Sequence, residues 1–313
     1  MGKIVFYFLK SITWLFSLLP LRVHYAFADF IAFFLRSVIK YRSAVVYVNV
    51  ARSFPELKYG GIRDIVRNYY TYVADTIVET IWSVTAGKKN LAKIARIENP
   101  EVLEDLYKKG KSVIIALGHQ GNWEITGSLE SYAGEGSIGY KSENMKFAYK
   151  KVENKSFDLL TNWIRYRHTK IGTLVESKEM ARYVIKNRNA QSCYFFIADQ
   201  SPLPGSRFVV DFLHQQTLMI NGPEQLSKML DVPIVYLNIS RESRGNYKMR
   251  LHLITEFPKN EEEGYITSKF ASLLEEGIKS NPHCWLWSHK RWKRGLEDSK
   301  MSIKNSNKNE KVD

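Results

Sequence analysis

Hydrophobic positions are densest in the first 41 residues, which differ in pattern from the rest of the chain. Apolar and aromatic residues dominate 4–9, 12–19 and 23–39, with few interruptions: Lys10, Pro20, Arg22, Asp29 and Arg36. A spanning helix needs roughly 20 mostly apolar residues, and the stretch from Ile4 to Leu21 nearly reaches that length. The later part alternates bulky apolar residues with charges, which favours an amphipathic helix lying at a membrane interface. We therefore predict that residues 1–41 form membrane-associated helices.

Aromatic residues in this segment agree with a membrane interface. Trp14, Tyr25 and Tyr41 have the amphipathic rings that are typical of headgroup depth. No small-residue cleavage site follows Leu19, so the segment does not have the pattern of a cleaved signal peptide. The alternative to membrane association is a helical hairpin packed on the body of the protein.

Beyond residue 42 the periodicity predicts one body of alternating helices and strands. Apolar spacing of three to four residues makes 42–90 an all-helical front end. Short, β-branched apolar runs then predict strands that are buried on both faces, at 112–117, 193–198 and 232–239. Helical patterns occupy the regions 123–132, 157–167, 177–186, 223–230 and 266–280. This order indicates an α/β fold with a mixed, largely parallel sheet flanked by helices over residues 42–297. The polar tail 298–313 is expected to be disordered.

Charge and cysteine content narrow the functional classes. The chain has 46 Lys and Arg against 32 Asp and Glu, a net charge of +14, which suggests an anionic partner: nucleic acid, an anionic membrane or an acidic carrier protein. Its two cysteines, Cys193 and Cys284, are far apart, which argues against a disulfide scaffold and a structural zinc site. We expect neither a metal nor a bound cofactor.

A second aromatic cluster leaves the choice of partner open. The segment 283–294 interleaves Trp285, Trp287 and Trp292 with basic residues. Such a segment could stack bases, lie at an anionic bilayer, or form an edge of the core with a solvated basic rim. The apolar N-terminal segment favours the membrane over a nucleic acid.

The candidate chemistry lies in the block Gly-His-Gln-Gly-Asn-Trp-Glu at residues 118–124, directly after the first buried strand. In open α/β sheets ligands bind at the carboxyl ends of strands. On one continuous helix His119 and Glu124 would be rotated by about 140° from each other, so they meet only if a turn intervenes. The glycines and Asn122 permit that turn, and Asn122 is a plausible N-cap for the next helix. An imidazole held by a carboxylate is a general-base pair that activates a hydroxyl.

This block resembles the G-H-x-G-N-W-E motif of the late acyltransferases of lipid A biosynthesis. That lauroyl/myristoyl branch belongs to the glycerolipid acyltransferase superfamily, whose general motif is H-x-x-x-x-D/E. Weaker similarities follow in the family's order, at 49–56, 163–167, 198–200 and 282–293. The resemblance therefore extends over most of the chain.

The resemblance implies acyl transfer from an acyl-carrier-protein or coenzyme A thioester to a hydroxyl of a lipid A precursor. His119 would be the general base and Glu124 its orienting partner. Arg165 and Asp199 match positions that the family treats as functional, and Asn122 and Gln200 complete the candidates for substrate binding or transition-state stabilisation. The expected location is the cytoplasmic face of the bacterial inner membrane. The alternative acceptors are a lysophospholipid or an aminolipid.

Overall fold

The N-terminal third of the protein is helical, as the apolar spacing predicts. The computed structural model describes residues 2–167, 173–202, 206 and 208–293. Its first helices are α1 (Gly2–Ser17), α2 (Leu21–Phe33), α3 (Ser43–Ser53), α4 (Tyr59–Ser83) and the short α5 (Lys88–Leu91). Helix α2 continues into a π-helical turn, Phe34–Val38.

A seven-stranded sheet forms the centre of the body. In chain order the strands are β1 (Ala95–Ile97), β2 (Val113–Leu117), β3 (Met145–Tyr149), β4 (Leu174–Glu176), β5 (Cys193–Ile197), β6 (Val209–Phe212), β7 (Gln215–Leu218), β8 (Ile234–Ser243) and β9 (Asn246–Thr255). The sheet order is β1-β9-β8-β2-β5-β3-β4, and β6 and β7 form a separate antiparallel hairpin. Only β8 and β9 pair antiparallel within the large sheet. The predicted mixed, largely parallel sheet is confirmed.

Helices flank this sheet. They are α6 (Glu101–Lys108), α7 (Lys155–Arg165), α8 (Met180–Lys186), α9 (Gly222–Leu230) and α10 (Tyr265–Ser280), with 3-10 segments at Trp123–Tyr132, Ser142–Asn144 and Pro258–Asn260. The five predicted helical regions all contain helix, although the first is a 3-10 helix. The sequence prediction missed α6 and the strands outside the three apolar runs.

The burial of β2 on both faces explains the continuous apolar run from which the strand was predicted. Ile114 and Ala116 pack into one hydrophobic cluster with helices α3, α4, α9 and α10. Ile115 and Leu117 pack into the other, with α6 and the segment Trp123–Tyr132. Because each face of the strand meets a helical layer, no polar position alternates with the apolar ones. The carboxyl end of β2 therefore emerges from the centre of a three-layer body.

The N-terminal helices pack on the body with one side and expose apolar residues on the other. Ala28 and Ala32 of α2 contact Ala74 and Val78 of α4 in a small buried cluster. The outer surface of these helices carries exposed apolar side chains, including Phe8, Phe30 and Phe33.

Helix α1 also packs against the body. It lies on α7, where Ser156 Oγ donates a 2.9 Å hydrogen bond to the carbonyl of Gly2. Among the described residues no single helix is long and apolar enough to cross a bilayer; α1 and Leu21–Val38 meet that criterion only as a pair bent by 119°.

Two aromatic features of the sequence can now be placed. Trp285 and Trp287 are 2% and 0% exposed and Lys290 and Lys293 are exposed, which agrees with an edge of the core bearing a basic rim, one of the three alternatives for this segment. The hydroxyl of Tyr25 donates to Glu79 inside the protein. The predicted tail 298–313 lies outside the described residues.

Candidate active site

His119 and Asp199 meet because two neighbouring parallel strands end in register. Leu117, the last residue of β2, pairs with Ile197, the last residue of β5. Each chain then continues for two residues in the same direction, which puts His119 beside Asp199. Nδ1 of His119 lies 2.6 Å from Oδ1 of Asp199. The strand ends thus build a histidine–carboxylate pair at the edge where open α/β sheets bind ligands.

Asp199 is buried, and both of its carboxylate oxygens accept hydrogen bonds. Its side chain is 2% exposed, and Oδ2 accepts hydrogen bonds from the backbone N–H of His119 at 2.8 Å and from Nε1 of Trp285 at 2.7 Å. Burial alone would raise the pKa of Asp199, but the charge of His119 and these hydrogen bonds outweigh it and hold the pKa below its usual value. Asp199 is therefore an ionised acceptor at neutral pH.

The geometry defines the proton arrangement of His119. An ionised carboxylate can only accept, so Nδ1 carries the hydrogen that points at Asp199. Nε2 of the neutral ring is then an acceptor, and the side-chain amide of Gln200 lies 3.3 Å from it. The Trp123 ring packs edge-on against the imidazole, with 5.1 Å between the centroids. The Gln200 amide donates to Nε2, so a substrate hydroxyl that displaces this amide would meet the lone pair that takes up its proton.

The predicted pairing of His119 with Glu124 is not the one observed. Glu124 opens the 3-10 segment after the turn, and both of its oxygens accept from Arg165, from Nη2 at 2.8 Å and from Nε at 3.0 Å. Among the described residues no hydrogen bond joins Glu124 to His119. The correction has a simple cause: register brings Asp199 to the imidazole, while the bidentate fork of Arg165 at the end of α7 takes the glutamate.

Burial and the ion pair act in opposite directions on Arg165. Burial lowers the pKa of its guanidinium, but the hydrogen bonds and charge of Glu124 outweigh this, so the pKa is raised above its ordinary value. The two side chains are 31% and 21% exposed. A half-buried ion pair therefore lies one residue beyond Trp123, which contacts the imidazole.

Two glycines allow the turn between His119 and Glu124, as the sequence predicts. Gly121 has a φ of +56°, and a β-carbon there would collide with the backbone carbonyl of Ile239. A β-carbon at Gly118 would lie 2.6 Å from Cδ1 of Leu274 and 3.3 Å from Oδ2 of Asp199. The backbone of this turn thus approaches its neighbours more closely than any residue with a side chain permits.

Asn122 precedes the 3-10 segment, but its side chain does not cap it. Nδ2 donates a 2.8 Å hydrogen bond to Oε2 of Glu79 on α4. Asn122 is 0% exposed. The position predicted for Asn122 is right and its predicted capping role is wrong, because a buried carboxylate of another helix competes for the amide.

Three functional neighbours were missed by sequence reasoning. The indole N–H of Trp285 donates a hydrogen bond to Asp199. The neighbouring residue Cys284 holds the turn, because its carbonyl accepts a 2.9 Å hydrogen bond from the N–H of Gly121. His289 and Arg291 lie within electrostatic range of Asp199, and burial lowers their pKa values to about 4 and about 10. The tryptophan-rich pattern after the last helix and the weak family similarity at 282–293 are the signals that pointed to this region.

Taken together, these contacts form a hydroxyl-activating site. The imidazole is oriented by an ionised carboxylate, and the 3-10 segment that begins at Trp123 presents its N-terminal end, an arrangement that favours negative charge. In the part of the chain that the structure describes, no group of three His, Cys, Asp or Glu side chains could hold a metal ion. Such a site fits base-assisted transfer to a hydroxyl.

Comparison with known proteins agrees with this chemistry. Residues 2–294 match the family described as bacterial lipid A biosynthesis acyltransferase. Comparison with curated proteins gives no significant match. The match covers nearly the whole chain, including the motif, both flanks of the sheet and the N-terminal helices. The protein therefore belongs to the bacterial lipid A biosynthesis acyltransferase family and is an acyltransferase.

Proposed function

We propose that the protein transfers a fatty acyl chain from an acyl-carrier-protein thioester to a hydroxyl of a lipid A precursor, with His119 as the general base. The observation that carries this proposal is the hydrogen bond between His119 and Asp199 at the carboxyl edge of the parallel strands, in a chain of this family. Asp199 takes the orienting role that the sequence assigned to Glu124.

The reaction follows from the proton arrangement. The acceptor hydroxyl gives its proton to Nε2 of His119 while its oxygen forms a bond to the thioester carbonyl carbon. Asp199 stabilises the imidazolium that results. The tetrahedral intermediate then collapses, the carbon–sulfur bond breaks, and the imidazolium returns its proton to the departing thiolate. The products are an ester and a free thiol, and no covalent acyl-enzyme is needed.

The oxyanion of the intermediate needs donors, and the two candidates are Arg165 and the backbone N–H groups that open the 3-10 segment. Nε and Nη2 of Arg165 already donate to Glu124, which favours the backbone N–H groups of Trp123 and Glu124 for this role. These two residues open the 3-10 segment, where N–H groups have no partner within the helix. The Glu124–Arg165 pair would then shape the acceptor site, and Gln200 would contact the hydroxyl at Nε2.

Asn122 acts differently in this proposal. Its side chain is buried against Glu79, so it would support the turn and not touch the substrate.

We infer further that the exposed apolar surface of α1 and α2 docks on the cytoplasmic face of the inner membrane. Phe8, Phe30 and Phe33 are 65%, 65% and 53% exposed on this surface. Helix α1 packs on α7, the helix that ends at Arg165, so docking would bring the candidate site near the lipid headgroups. A net charge of +14 would attract anionic headgroups, a phosphorylated acceptor and an acidic carrier.

Docking can be tested with vesicles of phosphatidylethanolamine and phosphatidylglycerol. Phe30→Glu should weaken sedimentation with the vesicles by about tenfold, because it puts a charge into the apolar surface. The matched control is Phe257→Glu, which changes a similarly exposed ring (58%) on another part of the body and should leave binding within about twofold. Binding that survives high salt supports apolar insertion; complete release by salt contradicts it.

The activity itself is tested by mass spectrometry of the product. Purified protein, acyl carrier protein loaded with a fatty acid and a lipid A precursor should give a product heavier by one acyl chain. His119→Ala should abolish it, and full activity of that variant would refute the mechanism. Parallel reactions with coenzyme A thioesters identify the donor. Reactions with a lysophospholipid or an aminolipid test the alternative acceptors; a product only with one of these would replace the lipid A precursor.

A further inference from the structure

A buried carboxylate lies directly behind the active-site turn. Glu79, on α4, is 0% exposed. Its Oε2 accepts hydrogen bonds from Nδ2 of Asn122 at 2.8 Å and from the hydroxyl of Tyr247 at 2.7 Å, and its Oε1 accepts from the hydroxyl of Tyr25 at 2.8 Å. Three different parts of the chain, α2, β9 and the turn, thus donate to a single side chain.

Keeping a carboxylate at this position is costly. Burial raises the pKa of Glu79, and its three hydrogen bonds only partly compensate. An apolar side chain at position 79 alone would leave three donors unpaired, but replacing the whole buried cluster by apolar residues often costs no stability. The contact of Glu79 with Asn122 offers a reason other than stability for keeping the cluster polar.

A second contact fixes the same turn from the same helix. The hydroxyl of Tyr72, two turns before Glu79 on α4, donates a 2.6 Å hydrogen bond to the carbonyl of Gly121. The side chain of Asn122 and the carbonyl of Gly121 are therefore both held by α4. His119, two residues before Gly121, carries the imidazole of the candidate dyad, so α4 determines where its backbone lies.

The same face of α4 is joined to α2 by a second polar cluster. Asp75, one turn before Glu79 and 0% exposed, accepts hydrogen bonds from Arg241 and Arg244. Arg244 also donates to Asp29 at 2.7 Å and to the carbonyl of Tyr25 at 3.2 Å, and its guanidinium lies 4.5 Å from the Tyr25 ring centroid. Tyr25 is therefore clamped between this cluster and Glu79. A continuous chain of hydrogen bonds runs from α2 to the active-site turn.

We propose that Glu79 is a positioning residue, which holds the turn carrying His119 through Asn122 and links that turn to helix α2 through Tyr25. The outer side of α2 carries part of the exposed apolar surface, so the link joins the docking helix to the catalytic turn. The catalytic consequence rests on the proposed function, whereas the structural consequence does not.

Hydrogen exchange tests the structural part without any assay of activity. The amides of His119 and Gly121 are hydrogen-bonded, to Asp199 and to the carbonyl of Cys284. In Glu79→Gln an amide group replaces one acceptor oxygen, so exchange in a peptide spanning 118–124 should accelerate by about tenfold or more. Tyr25→Phe should accelerate it in the same peptide to a smaller extent. The control is Tyr140→Phe, which removes a hydroxyl bonded to the carbonyl of Lys111 and should leave this peptide unchanged.

Kinetics test the catalytic part. Glu79→Gln should lower kcat by about tenfold or more while the KM values for thioester and acceptor stay within about threefold, because substrate contacts are kept and the base is displaced. The double variant that combines Glu79→Gln with Asn122→Asp exchanges donor and acceptor. The side chain at position 79 then donates to the one at position 122, which restores a hydrogen bond of opposite direction. The double variant should recover about tenfold in kcat over Asn122→Asp alone, in which two carboxylates face each other.

The outcomes separate the inference from the proposed function. The positioning role is overturned if Glu79→Gln keeps the wild-type kcat and the wild-type rate of hydrogen exchange at 118–124. It is also overturned if hydrogen exchange accelerates equally throughout the protein. If Glu79→Gln does not fold, Tyr25→Phe decides: unchanged exchange at 118–124 overturns the link to α2. A wild-type protein without acyl transfer to any acceptor refutes the proposed function, while the exchange arm still tests Glu79.

Discussion

Nδ1 of His119 donates a 2.6 Å hydrogen bond to Oδ1 of Asp199, although 80 residues separate the two along the chain. The contact depends on the in-register ends of β2 and β5, not on the motif around His119. It fixes the tautomer of the imidazole and directs the basic nitrogen away from the carboxylate. Asp199 and not Glu124 should therefore orient His119 for catalysis.

Asp199→Asn should lower kcat by roughly 10²- to 10⁴-fold, the range that general-base catalysis supplies. The amide can donate to Nδ1 and so favours the wrong tautomer of the imidazole. The measurement is steady-state kinetics with circular dichroism to verify folding. Asp211→Asn, a matched change at an exposed position, should keep wild-type rates. A wild-type kcat in Asp199→Asn would remove Asp199 from the mechanism.

The Glu124–Arg165 pair should behave as one unit. Each single change, Glu124→Ala or Arg165→Ala, leaves a half-buried charge without its bidentate partner, so each should lower kcat/KM strongly. The double variant should be less impaired than the product of the two effects, with a coupling of about 1 kcal/mol or more. The exposed pair Glu179–Arg182 provides the control cycle, with coupling near zero. Strictly multiplicative effects at Glu124 and Arg165 would contradict a functional pair.

Gly121→Ala should destabilise the protein and nearly abolish activity. Its positive φ costs about 1 kcal/mol for a residue with a β-carbon, and the collision with the carbonyl of Ile239 adds to that. Gly134→Ala is the matched control, because Gly134 has a φ of +64° but open space around it. Urea denaturation should show a larger loss for Gly121→Ala, and only that variant should lose activity. Equal losses would mean that backbone strain alone matters at the turn.

His289 should make stability depend on pH between about 4 and 6.5. Burial lowers its pKa to about 4 in the folded protein, while the unfolded chain keeps the ordinary value near 6.5. The unfolded state therefore binds more protons in this window, and folding stability falls as the pH is lowered through it. Denaturation midpoints at pH 7, 5.5 and 4.5 should decrease less in His289→Phe than in the wild type. The exposed His214→Asn should follow the wild type; an unchanged slope in His289→Phe would exclude His289 as the source.

The sequence predicts the sheet because its central strands are buried on both faces. Runs such as 112–117 have no alternation, and the structure places them in the middle of the sheet, between two helical layers. The short edge strand β1 and the hairpin of β6 and β7 escape the same reasoning, since three or four partly exposed residues carry too little pattern. Their place follows from partners distant in sequence.

The sequence pointed to the residues of the candidate site but not to which of them form hydrogen bonds with each other. His119, Glu124, Arg165, Asp199 and Gln200 are indeed close to the end of β2 or tied to one another by contacts there. A five-residue spacing suggested that His119 meets Glu124, because local sequence gives no information on strand register. Once β2 and β5 are recognised as parallel neighbours of equal length, position 199 becomes the partner of position 119. Glu79 gave no signal, because an isolated glutamate in a helical pattern resembles a solvated residue.

The contact of Trp285 with Asp199 has a consequence for the order in which the site is completed. Trp285 lies 86 residues after Asp199, and its indole N–H is one of the two donors to Oδ2. During synthesis from the N-terminus, α1 and α2 emerge long before this tryptophan, so they can reach a membrane while the histidine–aspartate pair still lacks a donor. Chains that terminate before residue 285 would be able to reach the bilayer but would have an incompletely supported dyad. On the proposed function, the late synthesis of Trp285 would place docking of α1 and α2 before completion of the histidine–aspartate pair.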